Sequence, residues 1–242
     1  MPIRAVIFDI GDTLWRLDPL PDDLDRQMAA AVTANSSVAA AAALALVRAS
    51  LERARNIASD GRHEEPDLVE VILAAADSSD LELPADAAVA AAAALGAADI
   101  GRLVSRPAPA GIFADLRRQG LAIGLLSNTW TAANVLSDFV ERQRALGYVA
   151  AATFSSAERM RKPHPDLYAR ALDRLGAVPN ETLFVGDRVR EDVVGPQAVG
   201  MRAALTHEHR QEPPGEARPD AVLSSLGEVI ELVVRLNSAS DE

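Results

Sequence analysis

Short apolar segments recur along the chain, and each ends in small polar residues. The first spans 3–8, is rich in β-branched residues and ends at Asp9, a pattern that predicts a buried strand followed by a turn. Further strands are predicted at 121–126, 182–185, 202–206 and 220–223. Helical periodicity is found between and after them, at 111–119, 131–146, 165–175 and 226–236. This alternation predicts an α/β fold with a doubly wound, mostly parallel sheet.

The stretch from about residue 20 to 102 has a different pattern, with no convincing strand. Alanine-rich helical segments dominate it, at 38–55, 67–76 and 84–95. We therefore predict an α/β core from residues 1–19 and 103–242, and an all-helical insert at 20–102 that we call the insert. A proline-rich stretch at 106–111 predicts a semi-rigid joint where the insert returns to the core.

The composition and net charge of the chain exclude several classes of function. The chain has 242 residues, no cysteine and a net charge of −11, so disulfides and thiolate chemistry are excluded. The negative charge opposes binding to nucleic acids and anionic membranes. An uncharged run at 27–47 is long enough for a membrane span, but polar residues and many alanines favour a soluble helix. We expect a cytoplasmic protein with a small-molecule partner, and its oligomeric state stays open.

Polar residues at the predicted strand ends carry the candidate chemistry. They are Asp9, Ser127 with Asn128, and Asp187 followed by Asp192, to which the chain adds Lys162, its single lysine beside 23 arginines. Carboxylates this close to a phosphate dianion repel it, by about 4 kcal/mol for each like-charge pair at 4 Å. A divalent cation removes the conflict, and oxygen ligands favour Mg²⁺ over zinc. The pattern predicts metal-assisted phosphoryl chemistry with an aspartate nucleophile.

Four motifs resemble those of the haloacid dehalogenase (HAD) superfamily. They are Asp9-Ile10-Gly11-Asp12-Thr13, Leu125-Leu126-Ser127-Asn128, Lys162 followed by Pro163 and Pro165, and Gly186-Asp187 with Asp192. Their order, with a helical insert between the first two, is similar to that of members carrying a helical cap. The resemblance spans nearly the whole chain.

This resemblance implies a role for each matching residue. Asp9 attacks phosphorus and binds Mg²⁺, to which the Gly11 carbonyl adds a second ligand. Ser127 and Asn128 bind the phosphate group, and Lys162 pairs with both Asp9 and the transferred group. Thr13 orients the turn. Asp187 binds the metal directly and Asp192 binds it through water or supports the site.

One departure from the family pattern leaves alternatives open. Phosphatases of the family carry a second Asp, an acid and base, where this chain has Gly11, and an Asp follows only at Asp12. Asp12 could replace the missing acid, or the chain could be a degenerate binding or regulatory protein. A dehalogenase is disfavoured because dehalogenases lack the Gly186-Asp187 motif, and a phosphoacceptor receiver domain is disfavoured by the long insert.

Two further features are ambiguous in the sequence. Trp15 and Trp130 each follow a motif, so they either flank an entrance to the site or, as we favour, pack between the insert and the core. His63, Glu64 and Glu65 are predicted to mark a surface turn of the insert.

Overall fold

The computed structural model describes residues 1–104, 109–143 and 145–239 and is organised around a parallel sheet. The strands of this part of the chain are β1 (Ala5–Phe8), β2 (Arg16–Leu17), β3 (Leu103–Val104), β4 (Ala122–Ser127), β5 (Ala151–Phe154), β6 (Thr182–Gly186), β7 (Arg202–Thr206) and β8 (Ala221–Leu223). Six of them form the sheet in the order β5, β4, β1, β6, β7, β8, and every pairing is parallel. The predicted α/β class is confirmed.

The insert is entirely helical between β2 and β3. Its helices are α1 (Leu24–Ala34), α2 (Ala40–Ser59), α3 (Leu68–Asp77) and α4 (Ala85–Gly101). They share a hydrophobic cluster separate from that of the sheet, to which Met28, Val47, Ile72 and Leu95 contribute. Antiparallel pairing of β2 with β3 closes the base of the insert where the chain leaves and re-enters the core. The boundaries 19/20 and 102/103 stay predictions.

The uncharged run at 27–47 contains two helices, where the sequence analysis predicts one. The chain turns between α1 and α2, beginning at Asn35. The Asn35 side-chain amide donates to the Ala31 carbonyl at 2.9 Å and the Ser36 hydroxyl to that of Val32 at 2.8 Å. These side chains bind carbonyls that the end of α1 leaves without helical partners. None of the described helices is long and apolar enough to cross a membrane.

The remaining helices cover both faces of the sheet. They are α5 (Ala110–Arg118), α6 (Ala133–Arg142), α7 (Ser155–Glu158), α8 (Pro165–Leu175), α9 (Gly195–Ala198) and α10 (Val229–Ser238). Val6 and Phe8 of β1 belong to the cluster that contains α5, α6 and α10, whereas Ile7 points to the other face and packs with α8. This alternation follows from the two-residue period of a strand. The predicted helix at 131–146 is shorter. Of the joint predicted at 106–111, residues 106–108 lie outside the described ones, and residues 110 and 111 begin α5.

Candidate active site

Four buried side chains meet at the carboxyl edge of the sheet. Asp9 follows β1, Ser127 ends β4 and Asp187 follows β6. Because these strands are parallel and β1 lies between the other two, their ends lie side by side, where ligands bind in such sheets. Lys162 reaches the same place from the loop before α8. The structure thus brings together residues that the sequence singles out one strand at a time.

Lys162 is the centre of a buried hydrogen-bond network. Its Nζ donates to Asp9 Oδ1 at 2.7 Å, to Asp192 Oδ1 at 2.7 Å and to the Leu126 carbonyl at 3.2 Å. Burial alone lowers the pKa of Lys162, but the charges of Asp192 and Asp9 outweigh it and raise the pKa above its usual value. The side chain therefore stays protonated, with its charge directed at two carboxylates.

Ser127 and Asn128 make different contacts. The Ser127 hydroxyl donates to Asp9 Oδ1 at 3.2 Å. The Asn128 side chain holds the backbone of Lys162, because its Oδ1 accepts from Lys162 N at 2.8 Å and its Nδ2 donates to Lys162 O at 3.1 Å. Contact between Asn128 and phosphate stays a prediction, whereas its observed bonds position the lysine.

Asp9, Asp187 and Asp192 form an acidic cluster. One carboxylate oxygen from each lies within 4.8 Å of the others. Asp192 lies on a π-helical turn, Val189–Val194, and its Oδ2 accepts a hydrogen bond from the backbone N–H of Arg188 at 2.9 Å. Gly186 allows this approach, because a Cβ at that position would lie 2.3 Å from Asp192 Cγ. The glycine of the fourth motif is thus required by the packing of the cluster.

The acidic cluster lacks sufficient compensating charge. Burial, followed by the charges of Asp9 and Asp192, raises the pKa of Asp187 to about 8. Burial also raises the pKa of Asp192 to about 6, although Lys162 opposes it. Asp187 Oδ2 is buried without a hydrogen-bond partner in the described structure, and the Arg210 guanidinium lies 3.6 Å from it. A divalent cation fits this set of oxygen ligands, and Mg²⁺ is the ion that such ligands suit.

The side chains of the turn after Asp9 are held by hydrogen bonds to Asp187 and to β2. Thr13 is fully buried, and its Oγ1 donates to Asp187 Oδ1 at 3.2 Å. Asp12 has a left-handed backbone, with φ of 56°, and its Oδ1 accepts from the Leu17 N–H in β2 at 2.8 Å. Both side chains therefore have structural partners, and the predicted catalytic role of Asp12 and substrate contact of Thr13 stay predictions.

A cavity of about 220 Å³, which we call the phosphate cavity, opens over Asp9. Gly11, Asp12, Ser127 and Lys162 line it on the core side. Guanidinium groups complete the wall; they belong to Arg102, Arg161 and Arg188. Asp9, Asp12 and Glu191 also line the cavity, so four cationic side chains face three acidic ones. This excess of cationic groups favours an anionic ligand, in spite of the negative net charge of the chain.

Glu65 connects the insert to the loop that carries Lys162. Its Oε1 accepts from Arg161 Nη1 at 2.7 Å, and the backbone N–H of Arg161 donates to the His63 carbonyl at 2.8 Å. The predicted surface turn is wrong for Glu65, whose exposed fraction is 3%. The reason is this pairing with the core, which the local sequence does not show.

Glu65 makes the stability of the fold depend on pH. Burial raises its pKa to about 7, although Arg161 opposes the shift. Because the folded pKa lies above the unfolded value, the protonated side chain stabilises the fold below about pH 4.5, and this contribution is lost as pH rises through 7. The free energy of unfolding of wild type relative to Glu65→Gln is expected to fall by about 1 to 3 kcal/mol between pH 5 and pH 8.

Urea denaturation at both pH values measures this difference. Glu82→Gln, which removes an exposed carboxylate from the same insert, is the control and should show no such change. Equal pH dependence of wild type and Glu65→Gln would mean that Glu65 ionises as it does in the unfolded chain.

The two tryptophans occupy different environments. Trp15 is fully buried in the core, with its ring edge-on to Phe139 at a centroid distance of 5.2 Å, so it does not flank an entrance. Trp130 is half-buried, packs against the cluster of the insert and lines a cavity between insert and core. The favoured interpretation, packing between insert and core, agrees with the position of Trp130, whereas Trp15 packs inside the core. Trp130 also faces the space above the site.

The positions of Arg210 and of the Glu65–Arg161 ion pair are not predicted by the sequence pattern. Arg210 lies beyond β7 and approaches both Asp187 and Asp12, whose Oδ2 is 4.0 Å from its Nη1. No motif marks it, although loops after parallel strands face the same edge of the sheet. For Glu65 and Arg161, no signal in the local pattern identifies the partner, because the two residues come from distant parts of the chain.

Comparison with known proteins adds the family. A family model described as haloacid dehalogenase-like hydrolase matches residues 3–200. Phosphoserine phosphatase from Thermus thermophilus is 34% identical over 128 residues, which cover 51% of this chain and 49% of that protein. Pyrophosphatase PpaX from Bacillus mycoides is 31% identical over 127 residues, which cover 51% of this chain and 57% of that protein. The chain spans less than two thirds of the length of these relatives.

Solved structures match almost the whole chain. A HAD phosphatase from Thermococcus onnurineus has a TM-score of 0.64 at 21% identity, over 96% of this chain and 98% of that one. A 2-haloacid dehalogenase from Pseudomonas syringae pv. Tomato has a TM-score of 0.68 at 21% identity, over 97% and 99% of the two chains. These similarities show the fold, which phosphatases and dehalogenases share.

Proposed function

The chain belongs to the haloacid dehalogenase-like hydrolases, and from this premise we propose that it is a Mg²⁺-dependent phosphohydrolase of small phosphorylated metabolites. The observation that carries the proposal is the acidic cluster with Lys162, beside a small cavity to which three arginines also contribute. Phosphatase relatives support the same reaction class. We propose further that hydrolysis proceeds through an aspartyl phosphate on Asp9.

The residues of the acidic cluster fit a magnesium ion. Asp187 offers Oδ2, which accepts no hydrogen bond from the described residues, and Asp9 and the Gly11 carbonyl are the other proposed ligands. Both oxygens of Asp192 already accept hydrogen bonds, from Lys162 and from Arg188 N, so its role is to support the site. When bound, the ion supplies positive charge that neutralises the carboxylates and the phosphate oxygens.

The side chains of the site have separate proposed roles in nucleophilic attack and charge stabilisation. Asp9 Oδ1 is held by Lys162 and Ser127, whereas Oδ2 receives no hydrogen bond from the described residues and is the attacking oxygen. Lys162 stabilises the negative charge that develops on the transferred phosphoryl group. The attack breaks the P–O bond to the leaving group, which departs as an anion or, with a proton from solvent, as an alcohol. Water then attacks the phosphorus of the aspartyl phosphate and gives a proton to solvent, and the P–O bond to Asp9 breaks, which releases inorganic phosphate and restores the carboxylate.

The first test is a screen of phosphorylated metabolites with and without Mg²⁺. We expect hydrolysis that requires Mg²⁺ and stops when the metal is removed by EDTA, because the acidic cluster repels a phosphate dianion otherwise. In the control, Mg²⁺ is added back after chelation in calcium-free buffer, and hydrolysis should return. Undiminished hydrolysis in EDTA would refute metal dependence.

The same screen decides between the alternatives. Binding of a phosphate mimic such as BeF₃⁻ without hydrolysis of any ester would favour the degenerate binding or regulatory protein. Halide release from 2-chloropropionate would favour a dehalogenase. The acidic cluster argues against that activity, because a haloacid brings another negative charge and no cation to three buried carboxylates.

Gly11 predicts a strong dependence on the leaving group. Glycine cannot donate a proton, so alkyl phosphates are expected to react about 10² to 10⁴ times more slowly than aryl phosphates, whose leaving groups depart as anions. A plot of kcat against leaving-group pKa measures this. Similar rates for both classes, with Asp12→Asn leaving both unchanged, would show that no acid is missing.

Gly11→Asp tests the same idea in reverse. The added side chain is expected to accelerate alkyl phosphate hydrolysis and flatten the dependence on leaving-group pKa. Leu17 must move, because a Cβ at Gly11 would lie 2.6 Å from Leu17 Cδ1. Combining Gly11→Asp with Leu17→Ala makes room, and Leu17→Ala alone is the matched control.

A further inference from the structure

A second cavity, of about 300 Å³, lies between the insert and the core. It borders the phosphate cavity, because Arg102, Asn128 and Arg161 line both. A molecule whose phosphate lies over Asp9 can therefore extend into the space between insert and core. We call this second space the leaving-group cavity.

The walls of the leaving-group cavity carry five apolar side chains beside six polar or charged ones. The apolar side chains are those of Leu20, Leu24, Leu51, Leu95 and Trp130. An aliphatic or aromatic body matches them, because burying apolar surface is favourable at about 25 cal/mol per Å².

One positive charge in this cavity lacks a partner. Arg102 forms an ion pair with Asp99 at 2.8 Å, and Arg161 forms one with Glu65 at 2.7 Å. Arg55, which is exposed on α2 and lines the cavity, has no carboxylate within 4 Å in the described part of the chain. The cavity thus combines five apolar side chains with one guanidinium that forms no ion pair among the described residues.

We propose, on the basis of the phosphohydrolase function proposed above, that the substrate is a phosphate ester whose leaving group has an apolar body and a carboxylate. The phosphate occupies the phosphate cavity, the apolar body lies against the leucines and Trp130, and the carboxylate pairs with Arg55. A guanidinium matches a carboxylate with two parallel hydrogen bonds, which suits this assignment.

The test compares two aryl phosphates, 4-(2-carboxyethyl)phenyl phosphate and 4-ethylphenyl phosphate. Two methylenes insulate the carboxylate from the ring, so the two leaving groups have nearly equal pKa values. Wild type is expected to favour the carboxylated ester by about tenfold in kcat/KM, the size of one well-formed ion pair. Arg55→Met is expected to reduce this ratio to about one.

Arg53→Met is the matched control. Arg53 is exposed on the same helix and is absent from the walls of the leaving-group cavity, so its variant should keep the tenfold ratio. A preference that survives in Arg55→Met, or an equal loss in Arg53→Met, would overturn the assignment of Arg55. Equal kcat/KM for the two esters in wild type would overturn the proposed substrate class.

A binding measurement separates this inference from the proposed function. Calorimetry with the two corresponding benzylphosphonates, which cannot be hydrolysed, measures binding to the cavity without turnover. If neither ester is hydrolysed, the phosphohydrolase proposal fails, and tighter binding of the carboxylated phosphonate that depends on Arg55 still supports the cavity assignment. Equal binding of the two phosphonates would overturn it.

Discussion

Asp9→Asn is expected to lower kcat for phosphate ester hydrolysis by at least about 10⁴-fold, because the neutral amide fills the same space but cannot attack phosphorus. The measurement is release of inorganic phosphate under saturating substrate. Asp138→Asn, at an exposed position of α6 without an ion pair among the described residues, is the control and should keep the wild-type rate.

The fold should survive this substitution. Lys162 keeps Asp192 as a partner 2.7 Å from its Nζ, so no buried charge is left uncompensated by the loss of the Asp9 charge. The circular dichroism spectrum is expected to be unchanged, with a melting temperature within about 3 °C of wild type. A normal rate in the folded variant would rule out Asp9 as the nucleophile.

Lys162→Arg is expected to reduce kcat by about 10³-fold or more although the charge is kept. One ammonium nitrogen lies 2.7 Å from two carboxylates, in a pocket also bounded by the Leu126 carbonyl and the Phe184 ring, whose centroid is 5.2 Å away. A guanidinium is planar and larger, so it cannot occupy that point. Equal rates for wild type and the Lys162→Arg variant would remove the lysine from the mechanism.

Lys162→Met is expected to affect stability as well as rate. It leaves Asp9 and Asp192 buried without their shared cation, and breaking a buried ion pair from one side costs about 3 to 5 kcal/mol. Urea denaturation in EDTA measures the loss. The double variant Lys162→Met with Asp192→Asn should recover part of it, because one of the two uncompensated charges is then absent.

The central strands could be predicted from sequence because they are buried on both faces. Such strands are continuous apolar segments, as 3–8 and 182–185 show, and the polar residue after each identifies the carboxyl edge. The strand β5 could not be predicted, because its four residues include two alanines and give little apolar signal. The two-residue strands β2 and β3 form only because the ends of the insert meet.

The residues of the site that follow strand ends could be predicted from the spacing of the motifs. The contacts that depend on tertiary packing could not. The proximity of Asp9, Lys162, Asp187 and Asp192 follows from parallel topology. The backbone contacts of Asn128 and the attachment of Asp12 to β2 depend on the path of a loop and of the insert. Glu65 is an extreme case, because its burial depends on a partner almost a hundred positions later.

The position of β1 at the centre of the sheet also affects the order in which the nascent chain folds. Ala5 pairs with Ala122 on one side and with Thr182 on the other, so β1 waits for two strands that follow it in the chain. The helices of the insert make their contacts within a short stretch, which favours faster folding. β1 therefore has one neighbour when β4 has been synthesised and both only after β6, and Asp9 meets Asp187 and Asp192 only at the end of that process.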